Sequence, residues 1–130
     1  MNGYKATVRE CSKEITVKER IMLKDTSNAT SLDTLTQEAN FNGEKVLINV
    51  DYYATLDIHN EKSDNKDYVN FIVVDKNGEK YVTGSQSFIT SFSDIVDEMM
   101  DAGETEIVIE VYRKESKNYK GKDFITCSIA

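Results

Sequence analysis

The longest alternation of apolar and polar residues in the chain runs from Val46 to Ile58. Every even position in this stretch is apolar, whereas most of the odd positions are polar. Because successive side chains of a β strand point to opposite faces, this period of two predicts one long, half-buried strand. Strands average about 5 or 6 residues, so a strand of this length in a small domain is expected to bend and to serve more than one wall of a barrel.

Two further strands are predicted after a polar connection over residues 60–67. Residues 68–75 are dense in β-branched and aromatic side chains, which is typical of a central strand. The dipeptide Asn77-Gly78 then predicts a tight hairpin turn into a strand over residues 79–83.

After Ser87 the apolar side chains recur with the period of an α helix. The residues that form one apolar stripe are Ile89, Phe92, Ile95, Val96, Met99 and Met100. The acids between them are expected to face solvent, and Gly103 can end the helix in a left-handed conformation. The pattern predicts a helix over about residues 88–102.

Alternation returns in residues 106–113 and 124–129, which predicts two final strands. Their inward side chains are expected to be Ile107, Ile109, Val111, Ile125, Cys127 and Ile129. The order from residue 45 onward is then strand, strand, strand, helix, strand, strand. This is the order of the oligonucleotide/oligosaccharide-binding (OB) fold, a mainly β, five-stranded Greek-key barrel whose helix lies between strands three and four.

The first 42 residues have a weaker pattern. Lys5–Arg9 and Glu14–Leu23 fit one or two strands, and the polar residues 25–36 fit either a loop or a weak helix. At 130 residues the chain fits a single domain. We therefore expect an OB-like barrel over residues 44–130 that is preceded by an N-terminal extension of β and loop structure.

Composition predicts the cellular compartment of the protein and the redox state of its cysteines. No apolar run approaches the roughly 18 residues needed to span a bilayer, and the N-terminus lacks the apolar stretch of a signal peptide. The cysteines Cys11 and Cys127 are far apart and outside any metal-ligand spacing, so we expect neither a disulfide scaffold nor a zinc site. These features predict a cytoplasmic protein with reduced thiols and no membrane contact.

The net charge of −7 argues at first against nucleic-acid binding. The acids, however, are concentrated in residues 25–111, whereas both ends of the chain carry more bases than acids. Since charges are screened over roughly 8 Å at physiological salt, the local potential at a site matters more than the molecular total. A basic edge on an acidic body can therefore still hold a phosphate backbone.

The segment Tyr112–Phe124 is such a basic edge, and it joins the last two predicted strands. It interleaves five cations with three aromatic rings. Cations attract phosphates and rings stack on bases, so this mixture suits single-stranded nucleic acid. The plainer alternative is a solvated hairpin loop whose lysines keep it soluble. In OB folds, however, the loop between strands four and five flanks the ligand-binding face, as does the loop between strands one and two.

The odd or even position of each aromatic residue within its strand (its parity) predicts the face on which the side chain lies. Tyr53, Tyr112 and Phe124 are out of phase with the apolar positions of their strands, so we expect them to point away from the core. The strand over residues 68–75 is apolar on both faces, and parity therefore does not choose between Tyr68 and Phe71. The predicted nucleic-acid-binding residues are Tyr53, Lys62, Lys66, Tyr68, Phe71, Tyr112, Arg113, Lys114, Lys117, Tyr119, Lys120, Lys122 and Phe124.

Four segments resemble the small single-stranded-DNA-binding proteins of tailed phages and mobile elements of Gram-positive bacteria, including protein-primed phages. They are Val73–Tyr81, Ser85–Ser87, Phe92–Met99 and Ser116–Ile125, and the resemblance covers residues 44–129. It implies binding and protection of displaced DNA strands in replication or recombination, without a cofactor. The acidic face of the predicted helix is then a candidate surface for a replication or recombination protein.

Other classes of function remain open. Catalysis has little support, because the single histidine, His59, lies beside Asp57 without a nucleophile, a phosphate loop or a metal constellation. An acidic phage or mobile-element protein that inhibits a host protein by imitating nucleic acid would account for the acidic centre but has no use for the basic segment. A sugar-binding or purely structural OB domain is a third alternative. The sequence leaves the choice between DNA and RNA, and between a monomer and a homo-oligomer, undecided.

Overall fold

A computed structural model describes residues 3–115 and 123–130, which are mainly β. The strands are β1 (Tyr4–Cys11), β2 (Thr30–Ser31), β3 (Val46–Asn60), β4 (Asp67–Asp75), β5 (Lys80–Thr83), β6 (Val108–Glu115) and β7 (Asp123–Ile129). The helices are α1 (Val17–Lys24), α2 (Leu32–Asn42) and α3 (Gln86–Asp101), with one 3-10 turn at Thr26–Asn28. Within the described ranges the chain forms two compact units, one from residues 1–29 and 51–84 and the other from residues 30–50 and 85–130.

The predicted order of strands and helix after residue 45 is confirmed, with boundaries that differ by about two residues. The prediction of strand over Glu14–Leu23 is wrong, because most of this stretch is helix α1. Its start is fixed by a capping box: the backbone N–H of Glu19 donates to Thr16 Oγ1 at 3.1 Å, and the backbone N–H of Thr16 donates to Glu19 Oε1 at 3.0 Å. The polar stretch that follows forms the 3-10 turn, β2 and the start of α2.

The first unit is built on antiparallel strands. β1 pairs with the second half of β3, from Tyr4 opposite Asn60 to Cys11 opposite Ala54, with a bulge between Val8 and Glu10. β4 lies next to β3 and pairs in turn with β5. The predicted tight turn between β4 and β5 is confirmed.

That turn depends on one glycine and one carboxylate. Gly78 has a φ of 88°, a left-handed conformation that glycine adopts without steric cost. The Asp75 carboxylate accepts the backbone N–H of Asn77 at 2.8 Å and that of Glu79 at 3.1 Å. The turn therefore holds β4 and β5 in register.

Helix α1 covers one face of this unit's strands. Its Leu23 packs into a buried cluster with Ala54, Leu56, Ile58, Ile72 and Val74, which come from β3 and β4. The Lys80 ammonium on β5 donates to the carbonyl oxygens of Met22 at 2.6 Å and Asp25 at 2.8 Å. Lys80 therefore attaches the C-terminal end of α1 to β5.

The second unit is also antiparallel. The first residues of β3 pair with β6, and β6 pairs with β7. Side chains buried on one face of these strands are Val46, Ile48, Ile109, Val111, Ile125 and Cys127. Ile107 is only half-buried and lies just outside β6. Ile129 lies opposite the buried Ile109 and so faces inward as expected, but it stays 50% exposed because it is the last residue of β7.

Helices α3 and α2 complete the second unit. The Ser87 hydroxyl of α3 donates to the carbonyl oxygen of Ile125 at 2.8 Å, and the hydroxyl oxygens of Ser91 and Thr126 are 2.8 Å apart. These bonds align α3 along β7. No helix in the described residues is long and apolar enough to cross a membrane.

Candidate nucleic-acid interface

The β6–β7 hairpin presents one polar and aromatic face. Its register places Tyr112 opposite Thr126 and Lys114 opposite Phe124, so these side chains share a face of the two strands. Tyr112 and Phe124 are each half-buried, and Lys114 is exposed. Val111 and Ile125 are buried on the other face, so both rings lie on the opposite side from these two side chains, as parity predicts. Thr126, on the rings' own face, is buried beside Ser91 of α3.

Leu47 extends this surface across β3. It pairs with Glu110 of β6 and is 55% exposed, on the same side as Tyr112. We call the surface formed by Leu47, Tyr112, Lys114 and Phe124 the hairpin face. Sequence reasoning missed Leu47, although an apolar residue at an odd position of the β3 alternation was the signal that could have found it.

Arg113 points to the opposite face and is held by other residues of the protein. Its guanidinium forms two bonds of 2.8 Å to the Asp123 carboxylate and reaches the carbonyl oxygen of Asp33 and the hydroxyl oxygen of Thr36 at 3.4 Å. The Arg113 side chain is only 12% exposed, and the bond to Asp123 raises its pKa. Arg113, which was predicted to bind phosphate, therefore connects α2 to the hairpin instead. The neighbouring Lys114 is exposed, so a phosphate can approach it.

The remaining cations and ring of the basic segment are Lys117, Tyr119, Lys120 and Lys122. They lie outside the described residues.

The predicted aromatic residues of the first unit lie on two different faces. The rings of Tyr53 and Phe71 have centroids 6.0 Å apart at an interplanar angle of 38°. Tyr68 instead packs against the cluster around Leu23. Phe71 is only 4% exposed, so in this conformation it supports Tyr53 and offers little ring surface to a base, contrary to expectation. The half-buried Tyr53 keeps part of its side chain accessible.

An open groove of about 390 Å³ lies on the first unit. It is lined by Lys5, Thr7, Arg9, Asp57, Ile58, His59, Asp67, Tyr68 and Val69. Arg9 and Asp57 form an ion pair across β1 and β3, in which Arg9 Nε lies 3.0 Å from the carboxylate. The Arg9 guanidinium is thus matched by an acid, which weakens its attraction for phosphate.

His59 connects the groove to the loop between β3 and β4. Its Nδ1 lies 2.7 Å from the Asp67 carboxylate and its Nε2 lies 2.6 Å from the Glu61 carboxylate. Asp67 first and Glu61 second raise the pKa of His59. Lys66 Nζ lies 3.2 Å from the same Glu61. Lys62 is exposed, and its backbone N–H donates to Asn60 Oδ1 at 3.1 Å.

The described residues contain no group of three or more His, Cys, Asp or Glu side chains that could hold a metal ion. Both cysteines are free thiols. Cys127 is buried, and the loss of hydration raises its pKa to about 12, so its thiol stays protonated.

These features define a mainly β protein with an exposed lysine and two accessible rings on one strand hairpin, the combination that suits an unpaired nucleic-acid strand. The chain also matches the family model of the phi29-type phage single-stranded DNA-binding protein over residues 2–130. Because this match covers almost the whole chain, the protein belongs to that family. The resemblance found in residues 44–129 is thereby confirmed and extends to the N-terminal residues. No curated protein and no solved structure matches the chain.

Proposed function

We propose that the protein coats single-stranded DNA without sequence preference and protects displaced strands during phage replication or recombination. Membership of the phage single-stranded DNA-binding family supports DNA as the ligand. The observation that carries the mode of binding is the hairpin face, where Tyr112, Lys114 and Phe124 lie on the same side of two paired strands. The site of action in this proposal is the cytoplasm of an infected bacterium.

In this mechanism aromatic stacking binds the bases, and positive charge binds the phosphates. Tyr112 and Phe124 stack on successive bases, which contributes roughly 1 to 3 kcal/mol per base and tolerates every base because each has an aromatic face. Lys114 neutralises a phosphate beside them, and the exposed Leu47 covers an adjoining apolar edge. The protein acts by binding alone, without a cofactor or a catalytic step.

The OB fold is part of the same proposal. The order of β3, β4, β5, α3, β6 and β7 supports it, as do the antiparallel pairings within each unit. OB domains bind single strands on the face of their second and third strands, which correspond here to β4 and β5. Helix α1 covers one face of these strands through Leu23. The surfaces that we propose for DNA are the hairpin face, the surroundings of Tyr53, and the loop between β3 and β4 that carries Lys62 and Lys66.

Fluorescence anisotropy with a labelled deoxythymidine oligomer tests this function. We expect Phe124→Ala to weaken binding about tenfold, since one stacking platform is lost. The matched control is Phe41→Ala, because Phe41 is a 92% exposed ring on α2 that is not part of the hairpin face. This variant should bind as the wild type does.

Two results would contradict the proposal. Equal losses in Phe124→Ala and Phe41→Ala would show that the hairpin face has no special role. Absence of binding at low salt would favour the acidic inhibitor of a host protein instead. An RNA competitor of the same length, added in the same titration, reports the preference between DNA and RNA.

A further inference from the structure

A second open groove, of about 400 Å³, lies between helix α3 and strand β7. Its residues from α3 are Ser91, Asp94, Ile95, Glu98 and Met99, and those from β7 are Cys127, Ser128 and Ile129. The floor is apolar and remains accessible: Ile95 and Met99 are half-buried, and Ile129 is 50% exposed. Accessible apolar patches that have a polar rim mark interaction sites on soluble proteins.

The rim of this groove is acidic. Asp94 and Glu98 are one helical turn apart on α3, both are exposed, and none of the described lining residues is basic. Two carboxylates repel phosphate, so the groove is unsuited to DNA and the proposed function does not account for it. An apolar floor beneath two carboxylates instead complements a ligand that is apolar along one side and cationic at its margins.

We propose that this groove binds a short amphipathic segment of a protein partner. The apolar side chains of the segment lie on Ile95, Met99 and Ile129, and its lysines or arginines pair with Asp94 and Glu98. From Ser91 to Met99 the helix rises about 12 Å, which matches two turns of an amphipathic partner helix laid along the groove. Bound in this way, the partner reaches the protein on a surface that carries no predicted DNA contact.

Two synthetic peptides of twelve residues separate this binding from general attraction to an acidic protein. Both carry the same lysines at helical spacing, and one has leucines where the other has serines. Titration of the full-length protein is followed by isothermal calorimetry and by NMR of the methyl groups of Ile95, Met99 and Ile129. We expect the leucine peptide to bind at least tenfold more tightly than the serine peptide and to shift the methyl signals of these three residues.

Matched double variants test the rim. Asp94→Asn with Glu98→Gln removes both rim carboxylates, whereas Asp97→Asn with Asp101→Asn removes two exposed acids of the same helix that do not line the groove. The change in net charge is identical in the two proteins. We expect about tenfold weaker binding of the leucine peptide in the rim variant and little change in the control, with the affinity for a deoxythymidine oligomer unaltered in both.

Each contrary outcome overturns the proposal. Equal affinity for the two peptides, or equal losses in the two double variants, would show that the peptide binds only by non-specific electrostatic attraction. No binding of the leucine peptide would exclude the amphipathic ligand. If Ile95→Ser converts an associated wild-type protein into a monomer in analytical ultracentrifugation, the groove holds a second copy of this chain and not a separate partner.

Discussion

At the level of single residues, some charged side chains have roles that differ from those their sequence positions suggest. Arg113 lies in the basic segment, yet it forms a two-bond ion pair with Asp123 and is mostly buried. His59 lies at a strand end, yet both of its ring nitrogens contact carboxylates. In each case the partner is brought close by strand pairing or by a loop, so the role of the residue follows from tertiary structure.

The contacts of His59 make the stability of the protein dependent on pH. Only the protonated ring can donate to Asp67 and Glu61 together, because a neutral imidazole has a single N–H and ionised carboxylates only accept. Asp67 first and Glu61 second favour the protonated ring, loss of hydration opposes it, and the net effect is a raised pKa of His59. This contribution to stability is complete below the unfolded pKa of about 6.5 and is lost as the pH rises through the higher folded pKa.

Urea unfolding of the wild type and His59→Gln between pH 5.5 and 8.5 measures this contribution. We expect the wild type to be more stable than the variant at pH 5.5 and the difference to shrink towards pH 8.5. A difference that stays constant or grows with pH would show that protonation of His59 does not stabilise the fold.

Residue-level prediction succeeded where local periodicity alone decides the outcome. The outward positions of Tyr112 and Phe124 follow from strand parity, since a strand alternates faces regardless of its neighbours. It failed for Phe71, because β4 is apolar on both faces and only packing decides how much of each side chain is covered. The exposed position of Leu47 could also have been predicted, because Leu47 is an apolar residue at an odd position of β3, where most residues are polar.

At the level of secondary-structure elements, helix α1 shows how a short segment depends on its neighbours. Eight residues are too few for a stable isolated helix in water, so α1 relies on its capping box, on Leu23 and on Lys80. The sequence over Glu14–Leu23 also fits a strand. The signature of Thr16 followed three residues later by Glu19 marked the helix start, and it was overlooked.

Removing the Lys80 ammonium should loosen α1 without affecting its start. In Lys80→Met the carbonyl oxygens of Met22 and Asp25 lose their charged donor. A net loss of about 1 kcal/mol or more raises the equilibrium constant for local opening at least about fivefold, and amide exchange should accelerate by the same factor. Amide hydrogen exchange of α1, followed by mass spectrometry, measures the change.

Lys76→Met is the matched control for this prediction. Lys76 is exposed in the turn between β4 and β5, and the substitution removes the same charge from the same unit. Its α1 amides should exchange at the wild-type rate. Unchanged exchange in Lys80→Met, or equal acceleration in both variants, would mean that the contacts of Lys80 do not hold the helix in place.

At the level of the whole molecule, the sequence separates acidic from basic regions along one chain. The net charge is −7, with the acids concentrated in residues 25–111. Exposed acids lie on α3, whereas the exposed Lys114 lies on β6. This separation lets an acidic protein bind DNA locally, since repulsion from distant acids is screened within about 8 Å at physiological salt.

This arrangement leads to a specific salt dependence. Each phosphate that a lysine neutralises on a single strand releases counterions and adds about −0.7 to the slope of log affinity against log salt concentration. If Lys62, Lys66, Lys114, Lys117, Lys120 and Lys122 all contact phosphates, the slope approaches about −4. Lys114→Gln should make the slope shallower by about 0.7, and Lys76→Gln, which changes the net charge equally at an exposed turn, should leave it unaltered. The measurement is a series of anisotropy titrations between 50 and 300 mM salt. A flat salt response would show that binding does not depend on lysine–phosphate contacts. Identical slopes for the two variants would show that Lys114 on the hairpin face does not contact a phosphate.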